Sequence, residues 1–252
     1  MDRRLELLQA YYAPLSPATV KLETMQHGFA FLETLTQRGA RLDYGELTLQ
    51  GTLHKYKLSQ VSDEQSQLWL TEHLAKRLNV CRYFGPQENA IFAFNLDNNR
   101  VENNTEIIPE MAFAIRRLRE RLEELGCRPL VIASGRGYHV WTRLAEARPN
   151  QVIYDFMMKV AVLIAAELHF MGGDRRRVKF NFYPDPRTEN TVSLRLFGSN
   201  HAKNRIFSRI LDLDRLLDEP ESWVEFARHL EVGTVPAATF DLAAEKIRNT
   251  SV

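Results

Sequence analysis

A strand pattern, an amphipathic helix pattern and two more strand patterns follow one another between residues 90 and 142, and this succession constrains the fold most. The helix is predicted over Pro109–Leu125, where apolar residues recur at spacings of four and three and charged residues fill the other face. Strands are predicted at Ala90–Asp97, Pro129–Ala133 and Tyr138–Thr142. Strands interleaved with helices, including adjacent strand pairs, predict an α+β (α/β mixed) domain with mixed β-sheets flanked by helices.

The remaining two fifths of the chain extend the same domain. A long apolar segment predicts a buried helix over Gln151–Phe170. Strands are predicted at Val178–Tyr183, Val192–Phe197 and Ile206–Leu213, and a capped helix at Ser222–Leu230. Together with the preceding elements these segments predict a core that spans residues 81–252.

The first 80 residues carry weaker patterns. A helix is predicted over Pro17–Thr36, which begins at a serine cap followed by proline. Short strands are predicted within Arg41–Ser59, and a second helix, opened by a capping-box pattern, over Ser62–Leu78. Residues 1–80 are therefore predicted to form a mainly helical N-terminal appendage.

Composition excludes several classes of protein. The 252 residues are 44% apolar and 26% charged, as in an ordinary globular protein. No segment approaches the roughly 18 uninterrupted apolar residues of a membrane span, and MDRRLELLQA lacks the apolar core of a signal peptide. Cys81 and Cys127 are isolated and fit no zinc-site spacing. A cytoplasmic protein without membrane association is the expectation.

Basic residues concentrate between Asp174 and Arg209, although the whole chain has a net charge of only +1. This segment holds nine lysines and arginines against three acidic residues. A local excess of positive charge in a near-neutral protein favours an anionic partner there, with a solvated basic surface as the alternative.

The strand predicted at Ala90–Asp97 ends in a polar pair. Because side chains alternate between the two faces of a strand, Asn95 and Asp97 share one face, and Phe92, Phe94 and Leu96 share the other. Oxygen-bearing side chains at a strand end are typical of sites for Mg²⁺ or Mn²⁺. A polar strand end that leads into a turn is the alternative.

The second motif is Ser134-Gly-Arg-Gly-Tyr-His139, which joins two predicted strands. Glycines let backbone N–H groups approach an anion closely, and Arg136 offers a fork of donors for phosphate oxygens. His139 follows two residues after the turn and could contact the same anion, or could be an ordinary strand histidine.

The third motif is an acid followed by a basic segment. Asp185 precedes Arg195 by ten residues, and Arg195 lies within a strand pattern, where a charge needs a partner. Ser199, His201 and Lys203 then alternate after a glycine and could bind phosphate groups. A strand, a turn and a solvated basic loop form the alternative.

In this order and at these intervals, the three motifs resemble those of the archaeo-eukaryotic primase superfamily, which includes primase small subunits and primase-polymerases. Phe94–Asn98 resembles its Asp-x-Asp strand end, Ser134–Trp141 its Ser-Gly-Arg-x-Gly-x-His segment with one residue fewer between the glycines, and Asp185 with Ser199–Lys203 its third acid and Ser-x-His-x-Lys stretch. The resemblance covers about half of the chain, from about Ala90 to Leu213.

The resemblance implies roles for these residues. Asp97, Asp185 and Asn95 would be the catalytic positions and would bind two Mg²⁺ or Mn²⁺ ions. The incoming nucleoside triphosphate would contact Ser134, Gly135, Arg136, Gly137, His139, Arg195, Ser199, His201 and Lys203. A single-stranded DNA or RNA template would contact Arg175, Arg176, Arg177, Lys179 and Arg205. A helicase or another replication, repair or defence protein is an expected partner.

One departure divides the functional hypotheses. Asn95 stands where the superfamily usually has the first acid, which leaves Asp97 and Asp185 as carboxylates for two divalent ions; Asp174 is an alternative third acid. The first hypothesis is a template-directed nucleotidyltransferase, a DNA primase or polymerase. The second is a catalytically degenerate primase-like module that binds nucleotide or nucleic acid for a partner. An unrelated α/β enzyme acting on another phosphorylated substrate is the third.

Overall fold

The computed structural model describes residues 2–12, 31–34, 41–42, 45–46, 53–55, 70–76, 78–84, 87–98, 108–187, 193–201 and 205–250. Its helices are α1 (Arg3–Tyr12), α2 (Pro109–Glu124), α3 (Asn150–Phe170), α4 (Glu219–Val232) and α5 (Ala237–Arg248), with a 3₁₀ helix at Arg175–Arg177. Its strands are β1 (Phe31–Thr34), β2 (Arg41–Leu42), β3 (Gly45–Glu46), β4 (Leu53–Lys55), β5 (Leu78–Tyr83), β6 (Glu88–Asn98), β7 (Leu130–Ala133), β8 (Gly137–Pro149), β9 (Val178–Tyr183), β10 (Ser193–Arg195), β11 (Arg209–Asp212), β12 (Arg215–Leu216) and β13 (Thr234–Val235).

Two sheets organise the described residues. The larger has seven strands in the order β12-β11-β7-β8-β6-β9, with β13 paired to β8. Its neighbours are antiparallel except for the parallel β13–β8 pair. The smaller sheet has the order β10-β5-β1-β4, and all its pairs are antiparallel. Largely antiparallel sheets flanked by helices confirm the predicted α+β fold class, and among the described strands only the β13–β8 pair is parallel.

Each face of the large sheet has its own apolar cluster. Phe92, Phe94 and Leu96 of β6 pack with α2, α3 and α5 on one face. Ile91 and Ala93, one residue out of phase, pack with α1, α4, β5 and β10 on the other. The alternation expected for a strand therefore holds along β6, and Asn95 and Asp97 continue the row that begins at Ile91 and Ala93.

The amphipathic pattern of α2 explains its place in the fold. Met111, Ala114, Ile115, Leu118 and Leu122 are buried on one face, while arginines and glutamates occupy the other. On that polar face, Arg117 Nε lies 2.6 Å from an oxygen of Glu167 on α3, and Arg121 also pairs with Glu167. Leu125 and Gly126 end the helix, and Gly126 has a φ of +78°. The sequence prediction for this helix is confirmed.

The N-terminal predictions are confirmed only in part. Phe31–Thr34 is a strand and not the end of a helix, because its backbone pairs with β4 on one side and β5 on the other. The rest of the helix predicted from Pro17 lies outside the described residues. Residues 70–74 are helical as predicted, but Leu78 begins β5 and does not end that helix. The short strands expected after residue 40 are present at three places.

Residues on both sides of the predicted boundary at position 80 share the smaller sheet, since β1, β5 and β10 are neighbours in it. Helix α1 packs into the same apolar cluster as α4. Most of the first 80 residues lie outside the described part of the chain, so the mainly helical appendage and the boundary stay predictions. No helix in the described ranges is both long and apolar enough to cross a membrane.

The second half agrees with the sequence in most elements, but β8 continues to Pro149, β12 and β13 were not predicted, and two helices differ. The helix predicted at Ser222–Leu230 begins earlier, because Asp218 caps it: the Asp218 carboxylate accepts the Glu221 N–H at 2.8 Å, and Glu221 reaches back to the Asp218 N–H. Ser222 instead accepts the Ile210 N–H and links α4 to β11. Helix α5, which was not predicted, buries Phe240, Ala243, Ala244 and Ile247.

Candidate functional site

The candidate site lies where β8, β6 and β9 run side by side at one end of the large sheet. Asn95 of β6 is opposite His139 of β8 on one side and Asn181 of β9 on the other. Asp97 is likewise opposite Gly137 and Lys179. Because directly opposed residues project from the same face of a sheet, these side chains form two adjacent polar rows on one surface.

Two amides hold the Asp97 carboxylate. Asn95 Nδ2 donates to Asp97 Oδ2 at 2.9 Å, and Asn181 Nδ2 donates to the same oxygen at 3.0 Å. The side-chain oxygen of Asn95 is buried and accepts no hydrogen bond. Asn181, which the sequence prediction missed, is therefore the third member of this site together with Asn95 and Asp97.

This donor set does not fit two divalent metal ions. Among the described residues no three His, Cys, Asp or Glu side chains come together as a metal site. Asn95, Asp97 and Asn181 supply one negative charge in total, and Lys179 stands opposite Asp97. Hard divalent ions need several oxygen ligands, usually with more than one carboxylate. These three residues therefore do not support a catalytic step that needs a pair of divalent ions.

The structure does not bring Asp185, the predicted third acid, to Asp97. The position opposite Asp97 is Lys179, and at about 3.3 Å per residue β9 carries the chain some 13 Å farther before it ends at Tyr183. The Asp185 carboxylate instead accepts from Arg187, through the backbone N–H at 3.0 Å and Nη2 at 2.8 Å. Those hydrogen bonds lower the pKa of Asp185 below its ordinary value. The alternative acid, Asp174, caps the 3₁₀ helix.

The Ser134–His139 segment forms a tight turn between β7 and β8. Gly135 has a φ of +98°, in the left-handed region that favours glycine. The Ser134 N–H and hydroxyl both donate to the Gly137 carbonyl, at 2.8 and 3.1 Å. A Cβ added at Gly137 would lie 2.1 Å from the Leu96 carbonyl oxygen. Glycine is therefore required at position 137 for β8 to approach the strand that carries Asp97.

Arg195 connects the turn to the smaller sheet. It is 6% exposed and lies on β10. Its guanidinium donates to the Ser134 carbonyl oxygen and, at 3.5 Å, to that of Ser199. A buried guanidinium thus lies between the second and third sequence motifs and links them through these hydrogen bonds.

His139 is held in its neutral form. It is 6% exposed, and burial, followed by the nearby charges of Arg195 and His201, depresses its pKa well below the ordinary value of 6.5. A neutral imidazole can still donate one N–H to an anion. An anion bound beside Arg195 would offset part of the positive charge that keeps His139 unprotonated.

The Ser199–His201 segment belongs to a closed loop. The Ser199 carbonyl accepts from the Ser208 N–H and hydroxyl, both at 3.0 Å, and the His201 N–H donates to the Ile206 carbonyl at 2.8 Å. Arg205, which has a φ of +64°, is exposed at the tip of this loop. Lys203 lies outside the described residues.

Four of the five basic residues predicted to bind a template lie where β9 begins, and the fifth, Arg205, lies in the loop after Ser199. Arg175, Arg176 and Arg177 form the 3₁₀ helix that leads into Val178, which is opposite Asn98. Arg136, at the turn that precedes β8, is partly exposed. The basic run therefore adjoins the same end of the sheet as Asp97.

Comparison with known proteins gives no family model and no curated protein that matches the chain. Among solved structures, the polymerase domain of Mycobacterium tuberculosis Ligase D in complex with DNA matches at 13% identity and a TM-score of 0.48, covering 89% of this chain and 88% of that one. The AEP domain of the cyanophage S-2L primase-polymerase matches at 13% identity and a TM-score of 0.35, covering 82% and 96%. Both belong to the superfamily that the three motifs resemble.

Proposed function

We propose that this protein is a primase-like module that binds a nucleoside triphosphate and a nucleic-acid strand, and that its metal site is degenerate. The observation that supports this most directly is the arrangement of two amides around one carboxylate, Asn95 and Asn181 around Asp97. Of the three side chains Asn95, Asp97 and Asn181, only Asp97 therefore carries a negative charge.

The phosphate-binding half of the site is more complete. Arg195 is a buried cation, His139 lies close to it, and the glycine turn at Gly135 brings backbone next to both. Two backbone carbonyl oxygens already accept from Arg195, but neither is an anion that would neutralise the guanidinium. A triphosphate would supply the anion, with Arg195 and His139 contacting its oxygens and Asn95 and Asp97 available to its sugar or base.

Direct binding measurements test this proposal. We expect isothermal titration to show triphosphate binding to the full chain, and primer-extension assays with Mg²⁺ or Mn²⁺ to show no product. The Asn95→Asp/Asn181→Asp variant restores three carboxylates and should bind Mn²⁺ about tenfold more tightly or better, because each added charge attracts the cation. Adding Asp97→Asn to that variant is the matched control and should remove most of the gain.

A nucleotidyltransferase is the second candidate, and the retained Asp97 carboxylate is the observation that favours it. For that enzyme we expect metal-dependent extension by the unmodified chain, loss of product in Asp97→Ala, and equal or higher activity in Asn95→Asp. This outcome would replace the binding module. Absence of both triphosphate binding and extension would contradict both candidates.

A further inference from the structure

The C-terminal end of α3 presents apolar side chains to solvent. Phe170 is 88% exposed and Met171 is 74% exposed, and they are adjacent in the chain. The neighbouring His169 ring lies 6.4 Å from the Phe170 ring, centroid to centroid. Two adjacent large apolar side chains with this exposure favour a contact surface for a partner, because a partner that covers them removes apolar area from water.

Positive charge follows this pair in the chain, in a 3₁₀ helix that contacts α3. After the turn at Gly172 and Gly173 the chain enters the 3₁₀ helix, where Arg176 pairs with Asp174 at 3.0 Å and Arg177 pairs with Glu110 at 2.9 Å. Arg175 is exposed and makes no ion pair with a described residue. Its charge is therefore available to an anionic partner.

The chain connects this surface to the candidate site at the end of the large sheet. The 3₁₀ helix ends at Arg177, and β9 then places Val178 opposite Asn98 and Lys179 opposite Asp97. Helix α3 packs on the face of the sheet opposite to Asp97, whereas Lys179 is exposed and opposite Asp97. An extended polyanion that contacts Arg175 could thus pass around the end of the sheet, contact Lys179 and reach Asp97.

We propose that Phe170, Met171 and Arg175 form a binding surface for single-stranded nucleic acid, which leads the strand to the Asp97 end of the sheet. A base stacks on the Phe170 ring, Met171 contacts the same base or its sugar, and Arg175 contacts the adjoining phosphate. Exposed aromatic rings flanked by cations suit unpaired bases, which have both an open π-face and a charged backbone. The proposal rests on the proposed strand binding and adds the residues that contact the bases.

Fluorescence anisotropy with a labelled oligo(dT) tests this surface. We expect Phe170→Ala to weaken binding about fivefold to a hundredfold, the range for loss of one stacked base. Phe170→Trp should keep the affinity, and the emission of the new tryptophan should be quenched by the oligonucleotide. The matched control is Leu242→Ala on α5, which removes another side chain that is 67% exposed and should leave the affinity unchanged.

Arg175→Gln gives an independent test through salt dependence. Removal of one phosphate contact should reduce the slope of log affinity against log salt concentration by about 0.7, the value for a single strand. Lys246→Gln, on helix α5, is the control for a general loss of charge and should leave the slope as it is.

Three outcomes separate this inference from the proposed function. Phe170→Ala that binds oligo(dT) as tightly as the unmodified chain would overturn the surface, while triphosphate binding by the same variant would leave the module proposal standing. Failure of the unmodified chain to bind either ligand would overturn both. Loss of binding to anionic lipid vesicles, rather than to oligo(dT), in Phe170→Ala would also overturn the inference, by assigning the surface to a membrane.

Discussion

Acidification from pH 7 to pH 5 should destabilise the folded protein through two buried histidines. The His73 ring donates from Nε2 to the Phe197 carbonyl at 2.8 Å and accepts the Val80 N–H at Nδ1, at 3.0 Å. Protonation at Nδ1 would break the bond to Val80. The His229 ring is hydrogen-bonded to the Arg128 carbonyl at 3.0 Å, and its Nδ1 is buried without a hydrogen-bond partner.

Burial lowers the pKa of both rings to about 4. In the unfolded chain both would titrate near their ordinary value of about 6.5. Between these values the unfolded state binds more protons than the folded state, so the free energy of unfolding falls as the pH falls. Each histidine should cost about 2 kcal/mol between pH 7 and pH 5, and together about 4 kcal/mol, against a total stability of about 5–15 kcal/mol for a domain. His139 acts in the same direction.

Urea unfolding followed by tryptophan fluorescence at pH 7 and pH 5 measures this loss. Carboxylates contribute little in this interval, because they titrate mainly below pH 5. His229→Gln keeps a donor to the Arg128 carbonyl and cannot titrate, so it should remove about 2 kcal/mol of this loss. His169→Gln, at an exposed histidine, is the matched control. A loss below about 1 kcal/mol for the unmodified chain, or an unchanged loss in His229→Gln, would refute the reasoning.

Three further predictions concern single residues. Gly137→Ala should destabilise the fold by about 1–3 kcal/mol or prevent folding, because its Cβ would meet the facing strand. The control is Gly172→Ala, whose Cβ would meet nothing within 4 Å and whose φ is +78°. In thermal unfolding this control should cost about 1 kcal/mol, from backbone strain alone. Asp218→Ala should lower the free energy of unfolding by about 1 kcal/mol, because the Glu221 N–H loses its hydrogen bond to the capping carboxylate. Asp218→Asn should cost less, and an equal cost would argue against the cap. His139→Ala should weaken triphosphate binding about tenfold through loss of a hydrogen bond in a low-dielectric site, and titration calorimetry that shows unchanged affinity with cooperative melting would contradict that role.

Most elements of the core could be predicted from the sequence because their patterns are local. The helix at Pro109–Glu124 has a continuous apolar stripe, and Val178–Tyr183 was predicted with the boundaries that the structure shows. Position 31 shows the limit of this approach. Its segment forms a strand because two partners, one of them about 50 residues away in sequence, pair with its backbone.

The candidate site was predicted in part for the same reason. Asn95, Asp97 and His139 could be identified from alternation within single strands. The third position could not, because the pairing of β6 with β9 joins residues more than 80 positions apart. Asp185 was chosen because it precedes Arg195 and Ser199–Lys203 in the order of the superfamily's third motif. The available signal was Phe180-Asn181-Phe182, which repeats the apolar–Asn–apolar pattern around Asn95.

The contacts of α1 connect the N-terminal residues to the region proposed to bind the triphosphate. The Phe197 N–H donates to the Tyr12 hydroxyl at 3.1 Å, and Arg82 donates to the Tyr12 carbonyl. Tyr12 therefore fixes the start of the loop that carries Ser199 and His201, although 185 residues separate Tyr12 from Phe197. A deletion before residue 13 would act at a distance on ligand affinity, and a defect in a shortened chain could be mistaken for a defect in the loop itself.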